Sequence, residues 1–324
     1  MAAKMKIRSF TSLILIIISG MIFFYGCSKE KDPLNDSPVF RMVNEINADS
    51  LKAFVKWMEG MGTRFSLADN HRQVAVKLKD KFISFGYPDV KLDSFRISRT
   101  YNGTVYNQWQ YNVIAKLEGT INPDSLCIIG GHYDNILRTG TGDPFTTAYG
   151  ANDNASGTAA ALEVARVLQK NSFESRNTIL FIAFGAEELG LFGSKAYADT
   201  AYKYNAKIKM MLNNDMIAYE PSSVKTDWIV NILDYDNSHD LRYKAEDLLQ
   251  KFTVLNNTNI NTYNKQSDSY PFSLKGYPAI FFISNASDPN YHTPNDVSGQ
   301  CNFYYCAEVV KISCALLVDA NTSD

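Results

Sequence analysis

No C-x-x-C pair and no cysteine-rich zinc-ribbon pattern occurs in this sequence of 324 residues, which excludes a cysteine-built metal finger. Positive charge is not in surplus either. Lys and Arg number 32 against 34 Asp and Glu, a formal net charge of −2, and that excludes the basic footprint of a nucleic-acid binder. Without residues 1–26, which hold Lys4, Lys6 and Arg8 and no acid, 29 basic residues face 34 acidic ones. The apolar stretch over residues 13–25 falls short of the ~20 residues that a membrane-spanning helix needs. From residue 40 onward there is no internal repeat, no low-complexity tract and no domain boundary. Histidine is scarce, with four in the whole chain. What is present, 45% hydrophobic residues over this length, fits a soluble globular protein of one large domain or two modest ones.

The first 26 residues read as a processing signal: a positive n-region, then an apolar core, then Gly26-Cys27. The run Phe24-Tyr25-Gly26-Cys27 resembles a bacterial lipobox, with Phe24 where Leu is usual and Tyr25 where a small residue is usual. The resemblance implies cleavage before Cys27 and a lipid on its sulfur. The mature chain would then be exported and anchored to a bacterial membrane, at the outer membrane or the periplasmic face. An uncleaved signal anchor is the alternative. Residues 27–39 are polar, with Pro33 and Pro38, and read as a flexible tether, so one catalytic domain is expected over 40–324. Cys127 lies inside an apolar run and reads as a small core residue. Export permits a disulfide, and Cys301 with Cys306 is the expected pair.

Apolar residues recur at helical spacing over residues 43–58 and 72–85, the second stopped by Gly86 and Pro88. Residues 90–97 alternate as a strand does, and 111–117 read as another. Residues 125–129, 178–184 and 278–283 are short continuous apolar runs, the pattern of strands covered on both faces. Helical segments such as 155–169 alternate with them. The expectation is an α/β fold, a three-layer α/β/α sandwich around a central mixed, mostly parallel sheet.

Polar residues cluster where those strands end. His132-Tyr133-Asp134 follows Ile128-Ile129-Gly130-Gly131, and Glu187-Glu188 follows the run ending at Phe184. Asn213-Asn214-Asp215-Met216 continues Met211-Leu212, and Tyr291-His292 follows Phe281-Phe282-Ile283. Asp153 precedes the helix that starts near Ala155. In open α/β sheets, chemistry gathers at the carboxyl ends of the strands. Singly, each residue has a plain explanation: Asp153 as a helix N-cap, the two glutamates as a solvated turn, Asp215 as a strand-end acid and His132 as a structural histidine. Together they deliver metal-ligand side chains from four strand exits and one helix start. His71 and His239 lie in polar surroundings and take no role.

His132-x-Asp134, Gly150-Ala-Asn-Asp153-Asn-Ala-Ser-Gly157 and Glu187-Glu188-Leu-Gly-Leu-x-Gly-Ser194 resemble the two-zinc aminopeptidase family, which includes bacterial leucyl aminopeptidases and glutamate carboxypeptidases. Asn214-Asp215-Met216 and Tyr291-His292-Thr-Pro-x-Asp296 complete the set in the family's order. Residues 111–114 and Ser267-Asp268-x-x-Pro-Phe272 extend the resemblance to roughly residues 40–320. Ser269 departs from it, since relatives often carry His there, and this touches substrate preference rather than metal binding.

The resemblance implies two Zn2+ ions. His132 and Asp215 would hold one, Glu188 and His292 the other, and Asp153 would bridge them; these are ordinary zinc donors. Asp134 matches the acid that orients the histidine, and Asp296 a similar outer group. Glu187 matches the general base. The implied activity is that of an exopeptidase acting on peptides, foremost an aminopeptidase. A carboxypeptidase would need cations for the substrate carboxylate, and Arg138 is the only arginine near a motif. A one-zinc glutaminyl-peptide cyclotransferase on the same fold is a further alternative, and a binding protein that lost catalysis is a third.

Overall fold

The structure, a computed structural model, describes residues 37–322. The signal segment, Cys27 and most of the expected tether lie outside the described residues. Along the chain run α1 (Pro38–Asn44), α2 (Ala48–Glu59), α3 (His71–Ser84), β1 (Val90–Tyr101), β2 (Thr104–Leu117) and β3 (Asn122–His132). Then come α4 (Pro144–Thr147), α5 (Ser156–Lys170), β4 (Asn177–Phe184), α6 (Phe192–Lys203), β5 (Lys207–Asn214) and β6 (Ile229–Leu233). The last are α7 (His239–Phe252), β7 (Asn256–Thr258), α8 (Ser269–Leu274), β8 (Ala279–Ser284) and α9 (Phe303–Thr322).

One sheet holds the strands in the order β1-β2-β4-β3-β5-β8-β6-β7. The four strands at its centre, β4, β3, β5 and β8, are mutually parallel. Antiparallel pairs join β2 to β4 and β6 to β8, so the sheet is mixed, as expected. All eight residues of β4 are buried, which explains its unbroken apolar run. Its side chains alternate between two cores. Ile179, Phe181 and Ala183 meet the layer containing α1, α2, α3, α5, α7 and α9. Leu180, Ile182 and Phe184 meet the layer containing α6 and α8. This is the three-layer sandwich, and α9, almost wholly buried, is the helix its periodicity hides, because it has little polar face.

Local chemistry moves some expected boundaries. The helical pattern over 43–58 is two helices, because the Asn47 side chain accepts from the N–H groups of Asp49 and Ser50 and starts α2 afresh. The folded domain begins before residue 40: Ser37 caps the Phe40 N–H, Pro38 sits in the first turn and Val39 is buried. Cys301 and Cys306 form no disulfide. Cys306 is buried in the main core within α9, and Cys301 stands ahead of that helix with its thiol toward the Val297 carbonyl.

Candidate active site

Because β4, β3, β5 and β8 are parallel neighbours, their carboxyl ends share one edge of the sheet. His132 ends β3, the two glutamates follow β4, Asp215 follows β5, and His292 lies in the loop after β8. Asp153 joins them from the irregular turn ahead of α5. Glycine allows that approach. A Cβ at Gly157 would lie 1.8 Å from the Asn214 carbonyl oxygen, so the first turn of α5 packs directly on the end of β5. Backbone strain gathers at the same edge. Among the described residues, Ala186, Leu191, Met216 and His292 are four of the seven non-glycine residues with positive φ, and all flank or belong to this cluster.

The Asp153 carboxylate is divided between two histidines. Its Oδ1 lies 3.3 Å from His132 Nε2, and its Oδ2 lies 3.0 Å from His292 Nε2. Asp215 Oδ1 stands 3.4 Å from His132 Nε2, and Glu188 Oε2 stands 3.0 Å from His292 Nε2. A tetrahedral zinc with bonds of about 2.0–2.1 Å has donor atoms about 3.3–3.4 Å apart, close to these spacings. The Asp215 Oδ1 atom is buried and accepts no hydrogen bond, while its Oδ2 accepts from the Ser267 hydroxyl at 2.7 Å. A buried orphan oxygen among imidazoles is what a metal ligand looks like before its cation is counted. His132, Asp153 and Glu188 form one potential metal-binding group, and His132, Glu187 and Asp215 form a second. Zinc therefore fits the residues present.

Asp153 is not the cap of α5. The bond to the Gly157 N–H comes from the Asn154 side chain at 2.8 Å, and Asn154 also accepts from the Met216 N–H and donates to the Asn214 carbonyl. Asn154 thus ties Asp153 to both neighbours of Asp215, a role that an asparagine in a loop does not announce in sequence. Asp296 accepts from the N–H groups of Asn152 at 2.7 Å and Asp153 at 3.0 Å, fixing the backbone that presents Asp153. Asp134 meets His132 through both its side chain and its backbone. Its carboxylate is 3.6 Å from His132 Nδ1, and its backbone carbonyl accepts a hydrogen bond from the Nδ1–H at 3.1 Å. A carbonyl can only accept, so Nδ1 carries a proton and Nε2 is the ring atom that faces the cluster. The Asp134 carboxylate also accepts from the Glu187 and Glu188 N–H groups and the Ser66 hydroxyl. The loop carrying Ser66, with its neighbour Arg64, went unmarked in the sequence.

Three buried acids and the half-buried Glu188 surround two imidazoles, and their ionisation reflects it. Burial raises Glu188 from 4.5 to about 8, with Asp153 adding to the effect. Burial likewise lifts Glu187 well above the carboxylate range, against the pull of His132. Burial pushes Asp153 up too, but the two histidines outweigh it and hold this acid well below its usual range. For His292 burial works against the charge, yet Asp153 and Glu188 raise it from 6.5 to about 10. The excess of acid favours bound cations.

Beside the cluster opens a cleft of about 650 Å³. Leu191, Met216, Ile260, Phe281 and Ile283 give it apolar walls, and among the described residues no Lys or Arg lines it. Arg138 is exposed, and its guanidinium donates to the Tyr291 carbonyl at 3.3 Å.

Parallel strands delivering imidazole and carboxylate donors to one edge, beside a cleft, define a metal-dependent hydrolase. The chain belongs to peptidase family M28, whose model matches residues 112–316. It is 27% identical to a probable zinc metalloprotease of Leptosphaeria maculans, over 88% of this chain and 77% of that protein. It is 36% identical to aminopeptidase YwaD of Bacillus subtilis over 59% of this chain, spanning only 40% of that relative's length. Two solved structures share the fold. An aminopeptidase from Aneurinibacillus sp. strain AM-1 has a TM-score of 0.73 at 17% identity, covering 88% of this chain and 97% of its own. A glutaminyl cyclase of Fimbriiglobus ruber has a TM-score of 0.68 at 18% identity, covering 84% and 95%.

Proposed function

We propose that this chain is an aminopeptidase that holds two zinc ions and removes N-terminal residues from peptides. The division of the Asp153 carboxylate between two histidines carries this reading, because one acid serving two donor sets is the arrangement of a bridging ligand. His132 with Asp215 would hold one ion, and Glu188 with His292 the other. Two divalent cations would offset the four carboxylates of Asp153, Glu187, Glu188 and Asp215. Bound zinc supplies Lewis acidity, polarising a carbonyl and acidifying a water.

Glu187 is the general base in this reading. Its carboxylate reaches the cluster, 3.8 Å from His132 Nε2, and its raised pKa suits a group that accepts a proton and returns it to the leaving amine. Asp134 holds the N–H groups of both glutamates, so Glu187 and Glu188 keep a fixed relation. The end of the substrate follows from charge. A cleft lined by no described Lys or Arg offers no partner to a substrate carboxylate, whereas a free ammonium meets Asp288 and the glutamates. That favours an aminopeptidase over a carboxypeptidase. The cyclotransferase alternative needs one zinc and leaves the second donor set without a purpose.

Aminoacyl-coumarin assays test the proposal. Leucyl-aminomethylcoumarin should be hydrolysed, the activity should vanish with a chelator and return with zinc, and the N-acetylated substrate should be inert. Hydrolysis of the acetylated compound at an equal rate would contradict the amine requirement, and cyclisation of glutaminyl peptides without hydrolysis would favour the cyclotransferase. We also propose export and membrane attachment through a lipid on Cys27, motivated by the lipobox-like run. Mass spectrometry of the native N-terminus should find a lipidated peptide beginning at Cys27; an unmodified Cys27 or an intact Met1 would contradict it.

A further inference from the structure

Behind the metal cluster lies a fully buried arginine for which the proposed chemistry has no use. Arg64 is 1% exposed, in the loop between α2 and α3, and lies outside residues 112–316 matched by the family model. Among the described residues its guanidinium pairs directly with no acid. Instead Nε donates to the Tyr133 carbonyl at 2.7 Å, Nη1 to the Tyr149 carbonyl at 2.5 Å and Nη2 to the Gly150 carbonyl at 2.7 Å. Burial lowers its pKa to about 10, while Asp296, Asp134 and Asp153 favour the charge, so it is a cation at neutral pH. A buried charge is costly unless its donors are satisfied, and here backbone carbonyls satisfy them.

The carbonyls it chooses are informative. Tyr133 follows His132, and Gly150 stands three residues before Asp153. The Gly150 carbonyl also accepts from the Ala155 N–H at 3.0 Å, closing the turn that presents Asp153. The turn requires glycine at this position, since a Cβ at Gly150 would lie 2.2 Å from the Asp153 carbonyl oxygen. The loop around Arg64 is itself held from several sides. Thr63 donates to the Pro144 carbonyl, Ser66 donates to the Asp134 carboxylate, and Gln108 and Gln110 both donate to the Ser66 carbonyl. Phe65 and Leu67 bury themselves in a separate apolar cluster with Ile97 and Leu189.

We propose that Arg64 is a positioning residue for the metal centre: its planar fork clamps the exit of β3 to the turn before α5 and so sets the spacing of the His132 and Asp153 donor atoms. The proposal rests on the reading of His132 and Asp153 as ligands. Lysine cannot replace the fork, because a single ammonium does not span three carbonyls on two segments in one plane.

The test measures zinc affinity by competition with a chelating dye on the purified chain, together with melting temperature and secondary structure. Arg64→Lys should bind zinc at least ~10-fold more weakly than the parent, the scale of lost outer support in metal sites. In Arg64→Ala, added ethylguanidinium should restore part of the affinity. Arg166→Lys serves as the comparison, because Arg166 pairs with Glu163 away from the cluster and should lower the melting temperature without changing zinc affinity. Should Arg64→Lys fail to fold, Gln110→Leu loosens the same loop by removing a donor to the Ser66 carbonyl, and a several-fold loss of affinity is expected. Arg64→Lys, or in its stead Gln110→Leu, binding zinc as the parent does would overturn the proposal. A parent chain that binds no zinc would instead overturn the reading of the site itself.

Discussion

Replacing Asp153 with asparagine separates a bridging ligand from a helix cap. The substitution keeps size and one oxygen, but it removes the negative charge and places an amide toward one of the two histidines. In the structure the carboxylate oxygens lie 3.3 Å from His132 Nε2 and 3.0 Å from His292 Nε2, so either orientation of the amide spoils one donor set. The size of the effect follows from linkage. Free zinc at a hundred times its dissociation constant stabilises the folded chain by about 2.7 kcal/mol per site. For domains of roughly this size, each kcal/mol moves the melting temperature by about 2–4 °C, so zinc should raise the parent's by roughly 5–11 °C per ion. In Asp153→Asn that rise should shrink to less than about half, and turnover should nearly vanish. Loss of a cap cannot imitate this, because Asn caps about as well as Asp and the Gly157 N–H is already held by Asn154. Differential scanning fluorimetry with stepped zinc, after chelator treatment, reads the effect. An undiminished rise with normal hydrolysis would refute the bridging role.

Further outcomes follow from the same geometry. Glu187→Gln should keep zinc and the melting temperature while kcat falls ~10²-fold or more, measured by steady-state assay with metal analysis; loss of zinc would make Glu187 a ligand instead. In the metal-free chain, Glu188 and His292 both have pKa values raised above their ordinary ones, to about 8 and about 10. Groups raised in this way stabilise the fold below their unfolded pKa and lose that contribution as pH rises through the folded value. Stability of the chelated protein should therefore fall between about pH 5 and 10, and zinc should flatten the profile; a chelated profile rising over that range would contradict the cluster's electrostatics. Gly157→Ala would force a Cβ to within 1.8 Å of the Asn214 carbonyl oxygen, so it should cost about 1–3 kcal/mol or more in denaturant unfolding and weaken zinc binding as β5 and α5 separate. A silent Gly157→Ala would show that this close approach does not set the site.

Much of this molecule was legible before its structure, for physical reasons. Strands such as β4 are buried on both faces and so carry continuous apolar runs, and polar residues at their ends stand out by contrast. That contrast placed His132, Glu187, Glu188 and Asp215 at strand exits, where the structure has them together. Residues that hold the site were harder to see. Asn154 and Ser267 lie within the family's motifs, but they act on backbone groups or through a single oxygen, and nothing in the spacing of Arg64 distinguishes it from an ordinary loop residue. The sequence singles out Asp134, but its bonds to the glutamate N–H groups are to backbone, which no side-chain pattern records. The break at Asn47 and the helix capped by Ser37 do not show in the apolar periodicity, because capping overrides it at helix ends.

The central claim is that two zinc ions share Asp153 in an active peptidase. Stepwise addition of zinc to the metal-free chain, following both bound metal and leucyl-aminomethylcoumarin hydrolysis, tests it most directly. Binding should saturate at two ions per chain, with full activity reached only as the second site fills. Saturation at one ion with full hydrolysis, or hydrolysis by a chain shown to contain no metal, would contradict it.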